Sequence, residues 1–332
     1  MTELARAAEL LRAGELVAFP TETVYGLGAD ASNPAAVAKI FAAKGRPADH
    51  PLIVHLPDAT YLQDWAVEIP TAAFQLAAAF WPGPLTLILK RATTVSDAVT
   101  GGQDTIGLRV PAHPLALELL RTFKGGIAAP SANRFGHISP TTARHVSEEL
   151  KDRVALILDG GPCAVGIEST ILDLSRATPE ILRPGAISAE DVGRVIGCVP
   201  RMTPLNAGNV ASAALDVPRV SGSLAAHYAP NTPLQLVADV ELAGRVAALV
   251  ASAQCVAVLA FATPPAMLVT KAVHWHRAAT DPAAYAHDLY ATLRDLDATE
   301  SAVILVQRPP QEEAWRAVND RLQRAAAGSG QT

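Results

Sequence analysis

A break in pattern constrains this chain more than any single motif. From residue 2 to 196, short apolar runs of strand length alternate with helical periodicity. Between 198 and 231 the alternation stops, in a stretch rich in Pro, Gly, Asn, Ser and Ala, and from 233 to 325 it resumes. One hydrophobic core rarely serves 332 residues. The pattern therefore predicts two domains, 1–197 and 232–327, joined by a linker over 198–231. Strands interleaved with helices predict α/β architecture, with α+β character in the first domain. Half of the residues are hydrophobic and 18% are charged, which suits a packed core and argues against disorder. The net charge of −5 divides into −4 over residues 1–190 and −1 over residues 191–332, so neither half is basic as a whole, although a local basic cleft stays open. Cys163, Cys198 and Cys255 form no CxxC pair, so neither a zinc site nor a disulfide framework is expected. No apolar run reaches the ~20 residues that span a bilayer, and the first residues carry no signal-peptide pattern. The expectation is a soluble, cytoplasmic protein.

In the first domain the strand-like runs are 16–19, 52–56, 85–89, 105–110, 127–129, 154–158, 169–174 and 180–182. Helical patterns cover 2–13, 34–43, 71–80, 114–121, 141–150 and 188–196. Thr2 and Asn33 stand where N-caps belong, with Pro34 at the favoured first helical position. The second domain shows strands at 234–237, 256–261 and 302–306 and helices at 240–252, 282–295 and 311–325, as in a small Rossmann-like α/β unit. Gly26-Leu27-Gly28-Ala29-Asp30-Ala31 resembles the GxGxxA dinucleotide fingerprint, which requires a helix to start at once. Pro34 delays the helix, so the segment reads better as a glycine-rich turn that lets backbone approach backbone.

The chemistry sits in polar clusters at strand ends. Pro20-Thr21-Glu22-Thr23 offers hydroxyls and a carboxylate directly after a buried strand. Lys44-Gly45-Arg46 puts two cations just past a helix, where they suit either the helix dipole or a polyphosphate. Period two places Thr105, Gly107 and Arg109 on one strand face. A buried arginine there needs a partner, either a ligand or a structural carboxylate. Pro130-Ser131-Ala132-Asn133, Glu168-Ser169-Thr170 and Leu182-Arg183-Pro184-Gly185 repeat the theme. Thr141 belongs to a helix-capping Ser-Pro-Thr. His55, inside an apolar run, reads alone as a satisfied core histidine. Each cluster taken singly also has an ordinary structural explanation. Together they describe a site for a phosphate-bearing ligand beside a small polar one, provided that folding brings them together.

Taken in order, the blocks PTETVYGLG (20–28), AKGRP (43–47), PLIVH (51–55), WPGPLT (81–86), RVPAHP (109–114), APSAN (129–133), ESTI (168–171) and LRPG (182–185) resemble the YrdC-like family. The likeness is to its two-domain form, the L-threonylcarbamoyladenylate synthases. His227-Tyr228-Ala229-Pro230 carries a weaker likeness at the linker's end. The linker departs from the family, reading Ser221-Gly222-Ser223-Leu224-Ala225-Ala226 where many members carry a Pro-Gly-Met-Lys-Tyr-like run. The resemblance implies a twisted, largely open sheet around a deep electropositive cleft. It implies condensation of L-threonine, bicarbonate and ATP to L-threonylcarbamoyl-AMP and pyrophosphate, with Mg²⁺ accompanying ATP. The product would pass to a tRNA threonylcarbamoyl-transfer machinery, with at most weak RNA contact by this chain and no membrane partner. Position by position, it implies that Thr23, His55, Arg109, Ser131 and Ser169 hold threonine or its carbamate. Lys44, Arg46, His50, Thr105, Asn133, Thr141 and Arg183 would hold ATP, with Lys44, Arg46 and Arg183 acting on phosphate charge and Tyr228 closing over the nucleotide. Rival readings are a carbamoyltransferase of the same superfamily, which the missing CxxC arrays disfavour, and a non-enzymatic RNA-binding module, which the net charge disfavours.

Overall fold

The structure, a computed structural model, describes residues 2–202 and 217–329. Of the linker expected over 198–231, residues 203–216 lie outside the described residues. The chain divides into two compact units, 1–135 with 139–223, and 136–138 with 224–332. Among the described residues no helix is long and apolar enough to cross a membrane.

The first unit is built on a ten-stranded mixed sheet. In chain order its strands are β1 (Val17–Phe19), β2 (Gly26–Asp30), β3 (Ile53–His55), β4 (Leu85–Lys90), β5 (Thr105–Arg109), β6 (Ile127–Ala128), β7 (Leu156–Ile157), β8 (Thr170–Asp173), β9 (Glu180–Arg183) and β10 (Arg201–Met202). Across the sheet they run β10-β9-β8-β4-β5-β3-β6-β2-β1-β7. Strands distant in sequence thus become neighbours, and the polar segments that follow them are drawn to a common region. Core aliphatics such as Leu27, Ile40, Val54, Leu76, Leu87 and Leu108 are fully excluded from solvent, which is the main driving force for holding this order.

Local signals account for the helix bounds. The Thr2 hydroxyl accepts from the Ala5 amide at 3.2 Å to start the helix Glu3–Arg12. Asn33 accepts from the amides of Ala35 and Ala36 and opens Pro34–Lys44, which ends where Gly45 turns left-handed at φ 63°. Lys44 and Arg46 are thereby held on either side of a sharp turn.

Gly26–Asp30 is a strand, antiparallel to β1, and not the turn expected from its glycines. The close approach is real. A Cβ on Gly28 would lie 2.8 Å from the Phe19 ring and 3.0 Å from the Val17 carbonyl oxygen. No helix begins at this segment, so the dinucleotide fingerprint has no structural basis here. The two-residue β10 falls within the stretch read as linker.

The second unit carries a parallel four-stranded sheet, β11 (Leu234–Val237), β12 (Val256–Ala260), β13 (Val273–Arg277) and β14 (Val303–Gln307), in the order β11-β14-β12-β13. Strand β13 was not read from sequence. Its residues Val-His-Trp-His-Arg form an edge strand that is half exposed, so they lack the apolar run that marks the central strands.

Candidate active site

Three groups of side chains gather beside the strand ends of the first unit. The first surrounds Arg109, the last residue of β5. Its Nη2 donates to Glu22 Oε1 at 2.5 Å, its Nη1 to Thr23 Oγ1 at 2.9 Å and its Nε to the Gly83 carbonyl at 3.1 Å. Both side chains of the ion pair are more than nine-tenths buried. Glu22 also accepts the Ala112 amide at 2.9 Å, and Thr23 shares a 2.8 Å hydrogen bond with Thr21. Arg109 is therefore held by a carboxylate, the alternative that the sequence left open beside a ligand. In β3, His55 pairs in register with Arg109. It is buried; neither ring nitrogen makes a well-formed hydrogen bond among the described residues, and the Ile127 backbone offers it only a weak one. It is thus at most weakly satisfied, short of the core histidine that its apolar neighbours suggest. Burial, and then the charge of Arg109, push its pKa well below the usual histidine value, against a weaker opposing pull from the Ile127 backbone.

Lys44 anchors the second group. Its Nζ donates to the Ser131 carbonyl at 2.5 Å and to that of Asn133, tying the end of one helix to the segment that follows β6. The amide of Phe135 returns a 2.8 Å bond to the Lys44 carbonyl. Burial, then the nearby charge of Arg46, hold the Lys44 pKa well below its ordinary value. Gly26 bridges Ser131, and the Leu27 amide donates to the Pro130 carbonyl, so β2 fixes this segment. The His50 ring stands edge-on to Phe135 at 5.4 Å, its pKa lowered by burial and then by Arg46.

The third group joins two arginines through the segment after β10. Arg46 donates to the Pro51 carbonyl at 2.9 Å and to the Ser221 hydroxyl at 3.2 Å. Arg183 donates to the Ser221 carbonyl at 2.9 Å, and to the Ser169 carbonyl and hydroxyl at 3.0 Å each. Thr86 meets Ser169 at 2.8 Å. Val220 buries itself against Ile88, Ile171 and Leu182. Close packing behind Arg183 requires Gly185, because a Cβ there would strike the backbone at Ser169 and Thr170.

The structure thus joins Lys44 to Ser131 and Asn133, Arg46 to Arg183 by way of Ser221, Arg183 to Ser169, and Arg109 to Thr23 with His55 alongside. Thr105 begins β5 and is buried, four residues from Arg109. Thr141 lies beside His145, its hydroxyl 3.4 Å from Nδ1, and its carbonyl accepts the Cys163 amide at 3.0 Å. Tyr228 belongs to the second unit, where its ring packs against Tyr290 at 5.7 Å and under the Arg321 guanidinium at 5.3 Å. Sequence reasoning missed two participants. Glu22, which the sequence offers only as a carboxylate after a buried strand, neutralises Arg109. Ser221 lay in a stretch read only as linker. The need of a buried arginine for a counter-ion was the available signal for Glu22; nothing in the sequence points Ser221 at two arginines. Among the described residues no cluster of three or more His, Cys, Asp or Glu could hold a metal ion.

Comparison with known proteins identifies the family. A family model described as Telomere recombination, covering Sua5, YciO and YrdC, matches residues 9–185. A second, described as Threonylcarbamoyl-AMP synthase, C-terminal domain, matches residues 187–327. The threonylcarbamoyl-AMP synthase of Pyrococcus abyssi is 47% identical over 231 residues, and that of Bacillus subtilis 48% over 235. Each match spans 70% of this chain but 66% of the relative's length. The crystal structure of Pyrococcus abyssi Sua5 complexed with L-threonine aligns with a TM-score of 0.89 at 38% identity, over 98% of this chain and 94% of that one. On these grounds the chain belongs to the YrdC-like family, in its two-domain threonylcarbamoyl-AMP synthase form.

Proposed function

We propose that the chain forms L-threonylcarbamoyl-AMP from L-threonine, bicarbonate and ATP, for threonylcarbamoyladenosine modification of tRNA. The observation that carries this reading is the meeting of Arg46 and Arg183 on one residue, Ser221, with Lys44 two residues from Arg46. Three cations of one neighbourhood suit a triphosphate, while Thr23, Ser131, Ser169 and His55 offer the neutral polar groups that suit an amino acid and its carbamate. The relative solved with L-threonine supports the second half of that division.

In the proposed reaction the threonine amine adds to bicarbonate with loss of water, giving a carbamate. A carbamate oxygen attacks the α-phosphorus, the bond to the β-phosphate oxygen breaks, and pyrophosphate departs with that electron pair. No protein nucleophile is needed. The protein's contribution is to position two ligands and to face developing phosphate charge with fixed donors. Arg46 and Arg183 present planar forks to phosphate oxygens, and Lys44 a point charge. Arg109, neutralised by Glu22, orients Thr23 and contributes hydrogen bonds more than net charge. Among the described residues no group of carboxylates is gathered to hold Mg²⁺, Glu22 being engaged by Arg109. Mg²⁺ would enter as the ATP complex, its ligands phosphate and water.

The test is pyrophosphate release that requires threonine and bicarbonate together, with the adenylate identified by mass spectrometry. Release that ignores omission of either substrate would overturn the proposal.

A further inference from the structure

Away from these strand ends the first unit holds a hollow of about 520 Å³, a size typical of small-molecule sites. It opens at the far end of β2. Asp30 closes that strand on the hollow, whereas Gly26 at its other end bridges Ser131. At ~3.3 Å per residue the two ends stand ~13 Å apart. None of the residues assigned above to threonine or ATP lines it.

The walls have definite chemistry. Trp65 lies directly on Gly126, where a Cβ would collide with the indole and with Val54. Tyr61 continues this wall, and the buried Phe123 stands in the lining too. The side chains of Asp64 and Lys124 form no hydrogen bond or ion pair among the described residues, the Lys124 amide being spent on the Leu120 carbonyl at 2.9 Å. Asp30 spends Oδ1 on the amide and hydroxyl of Ser32, at 2.8 and 2.6 Å, and leaves Oδ2 unused among the described residues. Arg12 is already committed. It donates to the Thr122 and Phe123 carbonyls at the end of the helix Pro114–Phe123 and lies 5.9 Å over the Phe123 ring.

The lining thus sets two carboxylates and the Lys124 ammonium around an aromatic wall, with the Arg12 guanidinium still charged but its hydrogen bonds directed at two carbonyls. A polyanion would meet both carboxylates. A simple cation would meet Lys124 and Arg12. A ligand that carries one charge of each sign satisfies the set, its ammonium on Asp30 and Asp64 and its carboxylate on Lys124, with an apolar group left for Trp65 and Tyr61. We propose that this hollow is a second ligand site, which takes a free α-amino acid with a bulky apolar or aromatic side chain.

L-Phenylalanine is the probe, and the indole N–H resonance of Trp65 in ¹⁵N-labelled full-length protein is the readout, assigned with Trp65→Phe. L-Phenylalanine shifts this resonance saturably. Asp64→Asn and Lys124→Asn each weaken binding about fivefold, the scale of an exposed ionic contact. Asparagine suits the left-handed backbone at position 124, where φ is 62°. Phenethylamine, without the carboxylate, loses the dependence on Lys124, and 3-phenylpropionate, without the ammonium, loses the dependence on Asp64. Threonine-dependent pyrophosphate release persists in both variants, which shows that they fold and that the hollow is separate from the cleft. A Trp65 resonance unmoved by L-phenylalanine overturns the proposal. So does either analogue, or L-threonine, binding there as tightly as L-phenylalanine.

Discussion

Replacing Glu22 by Gln should destabilise the first unit by about 3–5 kcal/mol, the usual cost of stripping one partner from a buried ion pair. The size follows from the surroundings. Both side chains are more than nine-tenths buried and meet at 2.5 Å, so Arg109 would keep its charge with little water to solvate it. Thr23 Oγ1 and the Gly83 carbonyl would remain as acceptors, which satisfies N–H groups but supplies no countercharge. Gln preserves shape, but its Nε2 cannot accept as a carboxylate oxygen does, so one of the bonds from Arg109 and Ala112 is lost together with the charge while packing is held constant. The decisive comparison is the double variant Glu22→Gln/Arg109→Met, which leaves no orphan ion. Its loss should be smaller than that of Glu22→Gln alone, and far below the sum of the two single losses. Equilibrium urea unfolding of all four proteins, read from the midpoint and slope of the first unit's transition, measures this. A Glu22→Gln cost below ~1 kcal/mol, or strict additivity in the double variant, would refute the claim that the pair acts as a buried, mutually dependent unit.

Arg46→Ala and Arg183→Ala should each remove ~2–4 kcal/mol of transition-state stabilisation, or about 30- to 1000-fold in kcat/KM for pyrophosphate release; unchanged turnover would remove them from the phosphate site. Lys44, its pKa lowered by burial and by Arg46, should be neutral in the free protein at pH values above that lowered pKa. A bound triphosphate favours the charged form, so binding should take up a proton and weaken as pH rises through this window; calorimetry in buffers of different ionisation enthalpy detects the uptake. Gly28→Ala should cost ~1–3 kcal/mol in urea unfolding, since its methyl would stand 2.8 Å from the Phe19 ring.

Much of the fold was legible because it follows from local rules. Thr2 and Asn33 start their helices as N-caps do, and Gly45 ends one where a left-handed residue is needed. Central strands such as β4 and β12 announce themselves as apolar runs because both faces are buried. Gly26–Asp30 was misread because glycines in a strand look like glycines in a turn. Only the crowding of Phe19 and Ile127 around Gly28 shows that an extended strand needs them there. β13 was missed because an edge strand need not be apolar.

The candidate site divides in the same way. Its residue types are written in the chain, since Lys44, Arg46, Arg109, Arg183 and the hydroxyls between them stand in short ordered blocks beside predicted strands. Their partnerships are not, because a hydrogen bond between positions 183 and 221 or 46 and 221 depends on sheet order and not on spacing. Linear sequence determined where the polar groups sit relative to each strand. Tertiary structure alone decided which of them share a neighbour, that Arg109 is answered by Glu22, and that His55 is buried beside Arg109 with at most a weak hydrogen bond among the described residues. The physical reason is that strand pairing joins segments far apart in the chain, and the balance of charge and solvation at a side chain is set by those neighbours.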